Sequence, residues 1–271
     1  MRHLLIGWQV WIFEGSLGEL QKLRLTKISI PTNTRRPQMV KLISSMIDSL
    51  LAAAKWPVAF LAVLVLPFAV IEANLPFLCT SLLGEGQPFL YGFVPCLILS
   101  FLAVSWFRDS FFSTFEHELT HAVFAWLCFH KVTRFEASDG RNRSSGLENQ
   151  DYLGVVYHTG SNWLISIAPY FSPTLLLPFY PVALLNPPPV FLVLVGMICA
   201  YHITSTYRET GLHQTDLKRV GYLFTFMFLP AANLIIYVAS IYFFVYDYEV
   251  GWQYIINTFI ASYEWYTQFL P

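Results

Sequence analysis

Residues 116–121 read Glu116-His117-Glu118-Leu119-Thr120-His121, which contains the arrangement His-Glu-x-x-His. Residues four apart on a helix lie about 40° apart around the axis and one turn along it, so two imidazoles at this spacing can reach one metal ion. The spacing suits zinc, and Glu118, next to the first histidine, can take a proton from metal-bound water without being a ligand. With seven histidines in 271 residues, chance alone yields the pattern about once in a hundred such chains, which weighs against coincidence for a short motif. Two other roles fit the same residues: a proton or ion path through Glu116, Glu118 and the histidines, or polar groups that satisfy one another inside a bundle. Glu116 lies about 100° around the helix from His117 and is expected behind the ligands or facing water.

The elements that must position these residues are apolar. The chain is 55% hydrophobic and only 12% charged, with a mean hydropathy of +0.51, against about 25% charge in an ordinary soluble domain. A membrane protein is expected. A net charge of −1 argues against nucleic acid as a partner, which requires a concentrated basic surface. Cys79, Cys96, Cys128 and Cys199 stand singly in apolar runs and are expected as buried thiols rather than as a disulfide scaffold.

A crossing takes roughly 20 predominantly apolar residues as helix. Trp56 to Asn74, Phe89 to Phe107, the motif-bearing Asp109 to His130 and Tyr222 to Tyr246 each qualify. Tyr152 to Tyr207 holds no Asp, Glu, Lys or Arg and is split by Asn186-Pro187-Pro188-Pro189, which predicts two spans and a tight turn because proline forbids helix continuation. The expected fold is therefore an all-helical polytopic bundle of about six spans. A short β-like element follows the motif helix, since the alternating stretch from Lys131 to Ser138 turns through a Gly- and Ser-containing segment and resumes at Leu153.

Residues 1–55 are expected as a cytoplasmic arm, or an extension upstream of a start at Met39, followed by an amphipathic lead from Met39. Residues 56–246 form the transmembrane domain and 247–271 an interfacial tail. Residues 1–38 carry six of the sixteen Lys and Arg, which conflicts with the C-terminal tail if both ends share a side. The loops 131–151 and 208–221, with seven basic residues between them, are expected in the cytoplasm.

The motif and the alternating stretch that follows it, from His117 to Ser138, resemble the signature of the site-2 protease-like intramembrane zinc metalloproteases. The resemblance covers about residues 110–221. It implies a three-helix catalytic core, Zn2+ as cofactor, a membrane-protein substrate and a third ligand that is an Asp on a later span. The acidic residues available are Glu209 and Asp216, of which Asp216 is the better match. His213 and His202 are the alternatives, because Leu217 follows Asp216 where better-known branches of the family have Gly. Asn162 falls near the family's substrate-contacting Asn and also fits a role in holding helices together. His202 fits either a ligand-orienting role or an ordinary hydrogen-bonded place in the bundle, and His130 and His158 are expected at the interface. The activity implied is hydrolysis of a peptide bond in or near a transmembrane segment, by a multi-pass protein of the cell membrane. His117, His121 and Asp216 would hold zinc, Glu118 would act as base, and a strand edge would pair with the extended substrate. An ion or proton transporter and an inactive membrane adaptor are the competing classes.

Overall fold

A computed structural model describes residues 28–29, 37–102, 111–137, 154–185, 187–211 and 214–269. Its first long element, α1, runs from Gln38 to Glu72, about 52 Å at 1.5 Å per residue. The amphipathic lead and the first expected span are thus one continuous helix. Helices α2 (Leu75–Leu83) and α3 (Gln87–Leu102) follow, bent by 97° at the break between them. The motif helix α4 is Phe111–Leu127.

Helix α4 ends in a Schellman geometry. Phe129 takes a left-handed φ of 59°, the His130 N–H donates to Ala125 O (2.7 Å) and the Phe129 N–H to Trp126 O (2.9 Å), which satisfies carbonyls the helix end would leave bare. The reversed chain then enters β2 (Val132–Ala137), which pairs antiparallel with β3 (Gly154–His158), Phe135 opposite Val156. The expected pair of strands is present. A two-residue strand β1 (Ile28–Ser29) lies on the other side of β2, Ile28 opposite Phe135.

The stretch expected as one span from Tyr152 to the triple proline is broken. After β3 come a five-residue helix α5 (Trp163–Ile167), 3-10 turns at Ala168–Tyr170 and Thr174–Leu176, and a five-residue helix α6 (Phe179–Ala183). Pro169, Pro173, Pro178 and Pro181 recur every three to five residues, and each removes a backbone donor and clashes with the preceding turn. The second half behaves as expected. Pro188 and Pro189 start α7 (Pro189–Glu209), with proline at N1, where its missing N–H costs nothing. Then come α8 (Thr215–Val220), α9 (Tyr222–Val245), which continues through Pro230, and α10 (Tyr248–Thr267), capped by the Asp247 side chain on the Val250 N–H.

Three helices, α1, α7 and α9, are long and apolar enough to cross a membrane, or four spans if the bent pair α2–α3 is one. Six is not what the described residues show. The motif helix has 17 residues and the proline-rich stretch is not continuous helix. Cys128 and Cys199 are buried as expected, whereas Cys79 is exposed and Cys96 is partly so.

One face of α1 grips the elements around the motif. Asp48, Leu51 and Lys55 lie on one face at i, i+3 and i+7. Asp48 Oδ1 accepts from Asn162 Nδ2 (2.7 Å) and His130 Nε2 (2.9 Å), Leu51 O accepts from Trp163 Nε1 (2.7 Å), and Lys55 Nζ donates to Val220 O (2.8 Å) at the end of α8. Beneath these bonds Ala59, Trp163, Ile167, Tyr170, Leu217 and Phe224 form a shared apolar core. On the other flank α3 and α7 touch backbone to backbone at Gly92 and Gly196. A Cβ at Gly92 would overlap the Val193 carbonyl, and one at Gly196 the Phe89 carbonyl.

Because overpacking costs about 1–3 kcal/mol, Gly92→Ala and Gly196→Ala should each lower the melting temperature of the detergent-purified protein by several degrees. Gly211→Ala, where a Cβ meets nothing within 4 Å, should leave it unchanged.

Candidate metal centre

On α4, His117 and His121 share a face, and their Nε2 atoms stand 3.1 Å apart. Asp216 Oδ2, from the first turn of α8, lies 3.5 Å from His117 Nε2 and 3.3 Å from His121 Nε2. The three make up a group whose ligand atoms all lie within 4.8 Å of one another. Zinc–ligand bonds of 2.0–2.1 Å in a tetrahedron place ligand atoms about 3.3 Å apart, and these three separations bracket that value.

What holds the imidazoles is as informative as where they point. His121 Nδ1 donates to the Ile165 carbonyl (2.8 Å). That carbonyl is free because its i+4 residue in the helical pattern is Pro169, which has no N–H to give. His117 Nδ1 is 2.7 Å from Glu209 Oε2, and the other Glu209 oxygen accepts from Ser205 Oγ (3.2 Å). With both Nδ1 atoms committed to acceptors, two Nε2 lone pairs and a carboxylate oxygen converge. Either extra protons or one cation must separate them. An acceptor behind each ligating imidazole is the arrangement that fixes tautomer and ring orientation in metal sites.

Asp216 is partly buried. Burial works against its ionisation, but the imidazoles of His117 and His121 beside it, when protonated, outweigh this and hold its carboxyl well below the usual range. On β3, burial first, then the nearby His121, Arg219 and His130, push His158 down to about 4, so it is neutral at physiological pH. Glu118, next to His117 on α4, is partly buried, with His121, His117 and Asp216 near enough to influence its charge.

The other sequence candidates fall elsewhere. His202, 2% exposed on α7, is hydrogen-bonded through Nδ1 to the Tyr237 hydroxyl and is not in the ligand group. Asn162 caps α5 by accepting from the Ile165 N–H (3.1 Å) and ties it to Asp48, so it holds His121's partner in place. His213 lies outside the described residues. Glu116 is not water-facing. It is 2% exposed, and neither of its oxygens has a hydrogen-bond partner among the described residues. His130 is buried and held by Asp48 and Thr159.

Glu209 is the residue whose place at this centre the sequence reading missed. A signal was present: an acidic residue closes the C-terminal turn of an otherwise acid-free helix, where the helix dipole disfavours negative charge. A local rule broken in this way points to a role elsewhere.

No family model matches the chain, and no curated protein or solved structure matches it significantly.

Removing the acceptor behind His117 should loosen its ring. In competition with a chelator, Glu209→Ala should bind zinc about 10- to 100-fold more weakly than wild type, and Glu209→Gln, which keeps an acceptor oxygen, should fall between.

Proposed function

We propose that the protein is a membrane-embedded zinc hydrolase of the site-2 protease type, cleaving a peptide bond in or near a transmembrane segment of another membrane protein. The observation that carries this reading is the convergence of His117 Nε2, His121 Nε2 and Asp216 Oδ2 at tetrahedral separations, with acceptors behind both rings. Three protein ligands leave one position open, which distinguishes a catalytic zinc site from a closed structural one. The neighbouring carboxylate of Glu118 favours a hydrolase over a transporter, because transport needs no base beside the first ligand. Three helices of membrane-crossing length and composition support a multi-pass protein of the cell membrane, with lipid around it.

Zinc, when bound, supplies Lewis acidity at the carbonyl oxygen and lowers the pKa of water. The chain's own residues do the rest. Glu118 takes one proton as the water oxygen forms its bond to the scissile carbonyl carbon and the carbonyl π pair moves onto oxygen. On collapse that pair re-forms the C=O bond, the C–N bond breaks, and the leaving amine receives the proton held by Glu118. Peptide and water become acid and amine, with no other reactant. The substrate must be extended at the cleaved bond, because a helix keeps its carbonyls in backbone hydrogen bonds. On the side away from β2, β3 carries no further strand among the described residues, which leaves an edge with which such a segment could pair.

Metal content and cleavage of a transmembrane peptide in proteoliposomes test the reading together. The double substitution His117→Ala, His121→Ala should abolish stoichiometric zinc, and Asp216→Ala should weaken it and stop cleavage. Glu118→Gln should keep the metal and lose activity. Full zinc occupancy in the double variant would refute the site, and undiminished cleavage by Glu118→Gln would refute the mechanism.

A further inference from the structure

Tyr170 closes the 3-10 turn that follows the helix holding His121's partner. It is 0% exposed, and its hydroxyl has no hydrogen-bond partner among the described residues. A buried tyrosine ordinarily places its O–H on an acceptor, because desolvating an unpaired hydroxyl is costly. Five other tyrosines of this bundle illustrate the rule. Tyr242 donates to Ala73 O (2.7 Å), Tyr254 to Ala69 O (3.1 Å), Tyr180 pairs with Ser240 (2.7 Å), Tyr237 with His202, and Tyr246 with Ser81.

The idle phenol belongs to the metal centre. Its ring stands edge-on to His117 with centroids 5.5 Å apart, and its hydroxyl feels the carboxylates of Asp216, Glu209 and Glu118. The segment is pinned on both sides: the Tyr170 carbonyl accepts from Asn233 Nδ2 (3.0 Å) on α9, and the Pro169 carbonyl from Thr206 Oγ1 (3.4 Å) on α7. Tyr170 also forms part of the wall of a cavity of about 520 Å³ bounded by α7, α8 and α9, with Leu217, the neighbour of Asp216, among its lining residues.

We infer that Tyr170 is a further catalytic residue, whose hydroxyl donates a hydrogen bond to the scissile carbonyl oxygen as that oxygen takes on negative charge. The inference rests on the hydrolase reading above. A fixed donor at this point acts where the π pair arrives, without moving any proton of the overall balance, and such preorganised donors account for about 10²–10³ in kcat when removed singly. The acceptor that pairs the buried phenol is then the substrate.

The test compares full-length, zinc-loaded wild type with Tyr170→Phe, using a peptidyl phosphinate whose P–O⁻ group copies the oxyanion. The Phe variant should keep zinc stoichiometry and melting temperature, bind the phosphinate at least 10-fold more weakly, and lose about 100-fold in kcat with KM within a factor of three. Equal phosphinate affinity and equal kcat overturn the assignment while leaving the hydrolase reading intact. A wild type that neither holds zinc nor cleaves overturns both. Should the Phe variant misfold, Tyr170→His and Tyr170→Leu, similar in size, differ in having a donor. Phosphinate binding retained by His and lost in Leu supports the inference, and identical binding overturns it.

Discussion

Two imidazole nitrogens and a carboxylate oxygen held about one tetrahedral edge apart are unstable company unless something positive sits between them, and much of the surrounding structure serves to keep them there. The constraint begins behind the rings. Because the Ile165 carbonyl and the Glu209 carboxylate take the outward nitrogens, the inward nitrogens have no freedom to turn away. Pro169 matters less as a helix breaker than as a residue that leaves one carbonyl unclaimed, and the break it makes also delivers Tyr170 to the same place. The proline-rich stretch exchanges a regular span for a short, irregular scaffold whose polar backbone atoms are put to use.

The first helix supplies the frame. Asp48, Leu51 and Lys55 reach α5, the end of α4 and the end of α8, so a single rigid rod sets the separation between the histidines' supports and the short helix carrying Asp216. A six-residue helix is marginal alone. Val220's carbonyl, one of the bare acceptors at its C-terminus, gains a cation there, and the Lys55 ammonium also lies 5.4 Å from the Phe224 ring centroid.

The histidine pair was legible because spacing on a helix is geometry; the strand pair was half-legible, because a short alternation beside a Gly- and Ser-containing segment fits an irregular loop about as well. Asp216 stood out as an acidic residue after a long acid-free run and lies at the histidines, whereas Glu209, weighed there only as a ligand candidate, lies behind His117. Hydropathy misled for the stretch after β3: it counts apolar residues without asking whether their backbone can stay helical, so Tyr152 to Asn186 passed on composition and failed on proline. Lys55 and Asp48 looked like the polar side of a lead helix. Their partners are a carbonyl 165 residues away and an amide 114 residues away, which no local window contains. The burial of Glu116 was likewise invisible, since its angle from His117 gives a direction but not what packs there.

The 165-residue separation between Lys55 and Val220 also sets a clock. At a synthesis rate of about 5–20 residues per second, roughly 10–30 s pass between the emergence of α1 and that of the short helix it must hold. Once made, His117 and His121 exist without Asp216 for the 95 residues that separate His121 from it, about 5–20 s, while Lys55 is without its carbonyl for the whole interval. The polar face of α1 therefore waits for α8, and a nascent chain cannot bring the three residues of the candidate centre together before Asp216 has been made. Fragments from synthesis stopped between residues 121 and 216 would carry the two histidines without Asp216.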